Sequence, residues 1–375
     1  MIATLAFRNL VHDRARFALT LIAISISIML VGAQMGLMLG FGRMISGVLD
    51  HAKVDLWIVP VGTTAFDDPA LIDISERYSA LAIAGVESIS PLIVGFAEWR
   101  RAEGGSVSVI VLGSDTNSEA LRPWSIVSGA PTQLREAEAV SIDQAYALDL
   151  GISTIGDLAT IEGKPARVGA ITTGIRSFTT SPYVFTSLEQ ARAYLSVPAA
   201  KTTYLAVKLS RGVDIQAVQS RIAARLKRAE VLTTAEFRAR NVDRWMFSTG
   251  AGALLLSGIV LALSIGSFIV AQTLYASINE HLKEFATLRA LGSSKGFLRS
   301  VIFCQAGLSA IFSAGMAAIG IAMLIFATAG SALPIILTPA IAELLLALSL
   351  GMSIVAAALT VTKVSRVQPA AVFSR

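Results

Sequence analysis

The sequence predicts an α-helical membrane protein with four transmembrane helices and a large α/β extracytoplasmic domain inserted between helices 1 and 2. Three observations predict it: long uncharged runs, a basic excess beside those runs, and a near-neutral central segment that alternates strand-like and helix-like patterns. The 375 residues are 54% hydrophobic and only 15% charged, outside the usual balance of a soluble domain. The formal charge of +5 does not mark a nucleic-acid binder, because the basic residues gather at span ends, where membrane topology requires them. A single cysteine, Cys304, permits neither a disulfide framework nor a thiolate zinc site within one chain.

No charge lies between Arg16 and Arg43. The stretch Phe17 to Phe41 is long enough, at about 1.5 Å per residue, to cross about 30 Å of hydrocarbon, and too long for the apolar core of a signal peptide. Residues 1–49 therefore read as an amphipathic N-terminal helix followed by span one. Residues 50–246 read as the extracytoplasmic domain with its stalk. Phe247 to Ile278 is again uncharged and longer than a bilayer needs, so its start is read as stalk and its remainder as span two. Between Ser300 and Ala342 the uncharged run exceeds one helix, and Gly330, Ser331, Pro334 and Pro339 divide it. Span four then runs from Ala340 to Thr362, with Glu343 at its outer edge. Residues 247–375 thus hold spans two to four, a cytoplasmic loop helix and the C-terminal tail.

Charges at the span ends set the orientation. Arg8, Arg14 and Arg16 outweigh Asp13 before span one; Lys283, Arg289, Lys295 and Arg299 outweigh Glu280 and Glu284 between spans two and three; Lys363, Arg366 and Arg375 follow span four without an acid. These segments, and both termini, are expected in the cytoplasm. Arg43 to Met246 carries 21 basic and 22 acidic residues, a balance suited to a translocated domain.

Strand patterns in this domain fall at Val54 to Val59, Ser106 to Leu112, Ala139 to Ile142 and Thr202 to Leu209, and helical ones at Ser75 to Val86, Ser187 to Leu195 and Asp214 to Arg228. Gly163 and Pro165 mark a hairpin. A helix from Thr234 is expected to run through Trp245 directly into span two, since nothing interrupts it before Gly250. No catalytic set emerges: His51 is the domain's only histidine, and the acid pair Asp67 and Asp68 before Pro69 reads as a solvated turn. Trp57, Phe66, Trp99, Trp124, Phe178 and Tyr183 read mainly as core.

Two motifs bear on mechanism. Gly32, Gly36 and Gly40 repeat every four residues along one face of span one, which suits close helix packing either against a second copy or within the chain. In the loop from Asn279 to Arg299, Leu282, Phe285, Leu288 and Leu291 recur at helical spacing before Gly292, predicting a short amphipathic helix that docks on a partner or rests at the lipid interface. The phosphate-loop spacing G-x-x-x-x-G-K-[ST] occurs nowhere in the sequence, so any ATP hydrolysis is expected of a separate subunit.

Five segments in order, LAFRNLVHDRARFALT (Leu5 to Thr20), VDLWIV (Val54 to Val59), SPYVFTSLEQARAYL (Ser181 to Leu195), EFATLRALG (Glu284 to Gly292) and RVQPAAVF (Arg366 to Phe373), give the chain a resemblance to the MacB/FtsX-type permeases of ATP-binding-cassette systems, and more narrowly to their DevC-like branch. The resemblance spans essentially the whole chain. It implies a non-catalytic inner-membrane homodimer whose ATP and magnesium sit in a cytoplasmic ATPase subunit, with no cofactor of its own. It implies a coupling helix built on Glu284, Phe285, Leu288, Arg289, Leu291 and Gly292. It further implies that ATP-driven motion reaches the extracytoplasmic domains, extruding a hydrophobic or amphiphilic substrate with a periplasmic adaptor and an outer-membrane channel. The alternative it carries is an FtsX-like regulator that switches an extracytoplasmic cell-wall hydrolase.

Overall fold

The computed structural model describes residues 4, 6–8, 14–179, 181–226, 228–280, 295–328 and 335–364. They fall into two compact units, a helical one (Met1–Gly40 with Gly252–Arg375) and an α/β one (Phe41–Ala251).

Helix α1, Arg14–His51, runs for 38 residues and gives its residues from Phe41 onward to the α/β unit. The strands that follow are β1 (Leu56–Pro60), β2 (Ile72–Asp73), β3 (Val86–Arg101), β4 (Ser106–Ser114), β5 (Ile126–Gly129), β6 (Ala139–Asp143), β7 (Leu158–Ile161), β8 (Lys164–Thr172), β9 (Tyr183–Ser187), β10 (Lys201–Thr202), β11 (Tyr204–Leu209) and β12 (Ala229–Thr233). Between them lie α2 (Glu76–Leu81), α3 (Ala147–Leu150), α4 (Leu188–Tyr194) and α5 (Ile215–Ala223), and α6 (Thr234–Asp243) follows β12.

The described strands of the main sheet are ordered β12-β1-β11-β3-β4-β9-β6-β8-β5. Strand β7 pairs with both β3 and β8, so the path β3-β4-β9-β6-β8-β7 returns to its start and closes a ring. Side-chain alternation, which sends successive residues to opposite faces, sorts the core. Leu56 and Ile58 of β1 face the helices α2 and α5 with Leu205, Val207, Val218 and Ile222. Trp57 and Val59 face the other way, into a cluster with Leu92, Tyr204, Phe237 and, from α1, Val48 and Leu49. A third cluster, including Ile93, Trp99, Val111, Val168 and Tyr194, fills the ring. Strand β3 is long enough to serve all three.

Short polar residues start the helices. The Asp214 carboxylate accepts from the Gln216 and Ala217 amides, Ser187 caps α4, and Thr233 forms a reciprocal box with Glu236 at α6. The helix expected over Ser75 to Val86 is shorter, because Gly85 turns the chain at φ +101° and Val86 already belongs to β3. The uninterrupted run from Thr234 into span two is also corrected. After α6 comes a π-helical turn, Arg244–Ser248, and Gly250 at φ +81° breaks the chain before α7 (Ala251–Glu280).

The helical unit is completed by α8 (Lys295–Thr328) and α9 (Pro339–Val364). Among the described residues, Phe17–His51, Ala251–Ile269 and Arg299–Thr328 are long and apolar enough to cross a membrane, and α9 carries a shorter apolar stretch, Pro339–Val355. Within this unit Ile24, Ile28 and Val31 of α1 pack with Ala262, Ile302, Ile321 and Leu345. Serines knit the helices: the Ser25 hydroxyl donates to the Ser313 carbonyl at 3.0 Å and Ser349 to the Ala310 carbonyl at 3.2 Å.

Candidate functional site

The six coupling residues expected from the sequence, Glu284, Phe285, Leu288, Arg289, Leu291 and Gly292, lie outside the described residues, as does the tail segment Arg366 to Phe373. The glycine stripe lies within them. Gly32, Gly36 and Gly40 are all buried. A methyl group on Gly32 would stand 2.6 Å from the Ile321 side chain, and one on Gly36 would stand 2.5 Å from Ile335 and 3.3 Å from the Ile336 carbonyl oxygen. Absent side chains at these two positions thus let α8, α9 and the segment before α9 approach α1 closely. Gly42, two residues beyond the stripe, has open space around it.

In the α/β unit a clamp without a sequence signature joins the end of α1, helix α6 and the loop after β1. Helices α1 and α6 run antiparallel here, since Arg238 pairs with Asp50 at 2.8 Å while Asn241 reaches back to Ile45. Asn241 is only 2% exposed. Its Nδ2 donates to the Ile45 carbonyl at 2.8 Å, and its Oδ1 accepts from the Phe66 amide at 3.0 Å, so one side chain links three segments. Two more α6-side groups hold the same loop. Arg240 donates to the Thr63 carbonyl and to Glu230, and the Trp245 indole donates to Asp67 Oδ1 at 2.9 Å. From below, the Tyr204 hydroxyl donates to the Phe66 carbonyl at 2.9 Å. Trp57, Phe66, Tyr204 and Phe237 form an aromatic nest around this point, with centroids 5.4 to 6.3 Å apart.

The other side of α1 is fixed too. His51, its last residue, stacks on Trp124 at 4.0 Å with ring planes 3° apart, and its Nδ1 lies 2.8 Å from the Gly47 carbonyl oxygen. The Lys53 amide donates to the Ala120 carbonyl, and its ammonium pairs with Glu119. Phe178 touches both Phe41 of α1 and Trp245. Its loop is pinned to the ring by Asp143, which accepts from the Ile175 amide at 2.7 Å, and by the Tyr146 hydroxyl, which accepts from the Ser177 amide.

Electrostatics single out one group in the clamp. The acid pair expected to be solvated is split: Asp68 is exposed, whereas Asp67 is 4% exposed. Burial holds the Asp67 carboxyl above its ordinary range, opposed by the Trp245 hydrogen bond and reinforced by the neighbouring Asp68 charge. Tyr183 and Tyr204 are raised as well, first by burial and then by the Asp67 charge, so both phenols stay neutral. The cause of the split is local. The turn that exposes Asp68 folds Phe66 into the aromatic nest and carries Asp67 in beside it.

The set joins α1, α6 and the loop after β1 through hydrogen bonds and ring contacts. Among the described residues no group of three or more His, Cys, Asp or Glu side chains is placed to bind a metal ion. His51, the one histidine available for a triad, is spent on the Trp124 stack and the Gly47 carbonyl. Trp57, Phe66, Trp99 and Tyr183 are core, as their spacing indicates, while Trp124 and Phe178 sit half-buried at the clamp.

Residues 17–225 match the MacB-like periplasmic core domain family, and residues 256–369 match the FtsX-like permease C-terminal family. No curated protein matches the chain. Among solved structures the chain is similar to the periplasmic region of MacB from Actinobacillus actinomycetemcomitans, at 10% identity and a TM-score of 0.40 over 52% of this chain and 96% of that one. It is also similar to the extracellular domain of the noncanonic ABC-type transporter YknZ from Gram-positive bacteria, at 12% identity and a TM-score of 0.35 over 48% of this chain and 98% of that one.

Proposed function

Because the chain belongs to the MacB/FtsX-type permeases of ATP-binding-cassette systems, we propose that it is the membrane subunit of an export machine that works by transmitting motion. In this reading α1, α7, α8 and α9 are four spans with both termini in the cytoplasm of a bacterial inner membrane, and the α/β unit is inserted between the first two. Two copies pair, and each engages a cytoplasmic ATPase subunit through the loop helix carrying Glu284, Phe285, Leu288, Arg289, Leu291 and Gly292. ATP-driven closure shifts α1 against α6, and the clamp passes the shift into the sheet.

The observation that supports this reading best is Asn241, a buried amide bonded at once to α1 and to the loop after β1, which ties both helix ends to that loop. A wet ion path through the spans is disfavoured by their composition, since few side chains beyond Ser, Thr, Gln34, Gln272 and Gln305 are polar. An apolar groove of about 320 Å³ between α1 and α7, walled by Leu19, Ile22, Ile26, Leu30, Ala262 and Ile265, suits contact with lipid or with an amphiphilic cargo. A periplasmic adaptor and outer-membrane channel would complete the route, as the DevC-like resemblance implies.

The test is coupling. Leu288→Asp places a charge where an apolar contact with the ATPase is expected, a change that costs several-fold to hundred-fold in such contacts, at about 1–3 kcal/mol. Membrane insertion should be intact and stimulation of the partner's ATP hydrolysis lost. Undiminished stimulation in that variant, assayed in proteoliposomes, removes the coupling assignment.

A further inference from the structure

Helices α1 and α6 run in opposite directions, and their contacts fix which residues stand side by side. Arg238 of α6 pairs with Asp50 of α1, and Asn241, about one turn on, bonds to Ile45. One further turn sets Arg244 beside Gly42 and Arg43. Phe178 marks the same level, since its ring touches both Phe41 and Trp245. Arg43 and Arg244 are both exposed. Arg238 and Arg240 of α6 have carboxylate partners in Asp50 and Glu230, whereas neither Arg43 nor Arg244 forms an ion pair among the described residues.

The same two arginines bound the apolar runs. Arg43 is the first charge after the uncharged stretch that begins at Phe17, and Arg244 is the last before the one that ends at Asn279. From Arg16 to Arg43, α1 advances about 40 Å at 1.5 Å per residue, the thickness of a bilayer with its head groups. Arg43 therefore falls at head-group level on one face when Arg16 does so on the other. In the expected orientation this end faces away from the cytoplasm, where the positive-inside bias does not call for basic residues. A guanidinium offers a planar fork that binds phosphate oxygens in pairs. We propose that Arg43 and Arg244 form a lipid site that takes the phosphate of an anionic phospholipid in the leaflet meeting the α/β unit. A choline head group would bring its own cation towards the two guanidinium groups, so a head group with net negative charge is favoured. Phe247, 53% exposed and three residues past Arg244, begins the apolar run beside that phosphate. A lipid held there fixes the depth of the clamp in the membrane.

The site rests on reading α1 and α7 as spans, but not on export or on which face is outside. Native mass spectrometry of the full chain in detergent, titrated with phosphatidylglycerol and with phosphatidylcholine, tests it. One phosphatidylglycerol per chain should bind ahead of the rest and more tightly than phosphatidylcholine. Arg43→Gln and Arg244→Gln should each weaken that first binding about tenfold, as loss of one charge-assisted contact predicts. Arg238→Gln, which removes the same charge from a residue already paired with Asp50, should leave it unchanged. All three positions are exposed, so the variants are expected to fold. Equal losses in all three variants, or no loss when Arg43→Gln and Arg244→Gln are combined, overturn the site. Displacement of phosphatidylglycerol by inorganic phosphate or by an acidic peptide at equal concentration overturns the lipid assignment. Flotation with vesicles of equal parts phosphatidylglycerol and phosphatidylcholine separates the site from the larger reading. A chain that stays out of the vesicles overturns both, and one that enters them with its first lipid affinity unaltered by the double substitution overturns the site alone.

Discussion

A carboxamide is well suited to join three backbone segments, because it donates and accepts at once and keeps no charge to be solvated. Asn241 uses both functions at once: one bond to a helix carbonyl and one from a loop amide, both buried. Asn241→Leu, close in volume, removes both bonds and leaves the Phe66 amide without its acceptor, at a cost of about 1–3 kcal/mol for that group alone. The urea midpoint for proteolytic opening of the α/β unit should fall accordingly. Arg238→Ala, by contrast, removes an ion pair with Asp50 in which both side chains are well exposed, 51% and 38%, and such pairs contribute little. Equal losses from the two variants would show that the hydrogen bonds of Asn241 are not what holds the helices together.

Helices and strands carry their signals with different clarity. The long apolar helices were legible because bilayer crossing demands an uncharged run that no soluble element requires, and the apolar part of α1 begins beside Arg16 and that of α8 beside Arg299. The strand-like run Ser106 to Leu112 was legible from its valines and isoleucine and lies within β4, Ser106–Ser114. The ring closure was not, because β7 pairs with β3 across about sixty residues and nothing in four residues, Leu158–Ile161, names its partner. Nor was the clamp: Asn241 and Asp67 look like ordinary surface residues until the fold buries them. The edge of the sheet shows the same dependence on context, where the Gln219 side chain of α5 donates to the Val231 carbonyl of β12 and occupies an acceptor on an edge strand. The glycine stripe was legible as a packing face, and its use can be tested within one helix. Gly36→Ala forces a methyl group towards Ile335 and a backbone oxygen and should lower the melting temperature of the detergent-solubilised chain. Gly42→Ala meets nothing and gains up to about 1 kcal/mol of helix propensity. A melting temperature unchanged by Gly36→Ala would mean that α1 does not need this close approach.

At the scale of the whole molecule, the proposed function sets a physical problem, to move a folded body on one side of a membrane with energy released on the other. A side chain cannot carry such a signal through about 30 Å of hydrocarbon, but a continuous hydrogen-bonded helix can, because its backbone groups are satisfied internally. Helix α1 is such a rod, 38 residues or about 57 Å at 1.5 Å per residue, longer than the hydrocarbon it would cross. For α1 to act in this way, residues 43 to 246 must face away from the compartment holding Arg14. The near balance of 21 basic and 22 acidic residues in that segment agrees, since no positive excess opposes translocation. Accessibility decides it. With Cys304, the sole native thiol, replaced by Ala, a cysteine at the exposed position Glu103, in the turn after β3, should react with a membrane-impermeant maleimide in spheroplasts. A cysteine at Arg14 should react only after permeabilisation. If the two positions label together, or in the reverse order, α1 does not carry motion across the bilayer, and the clamp would be a device of fold stability alone.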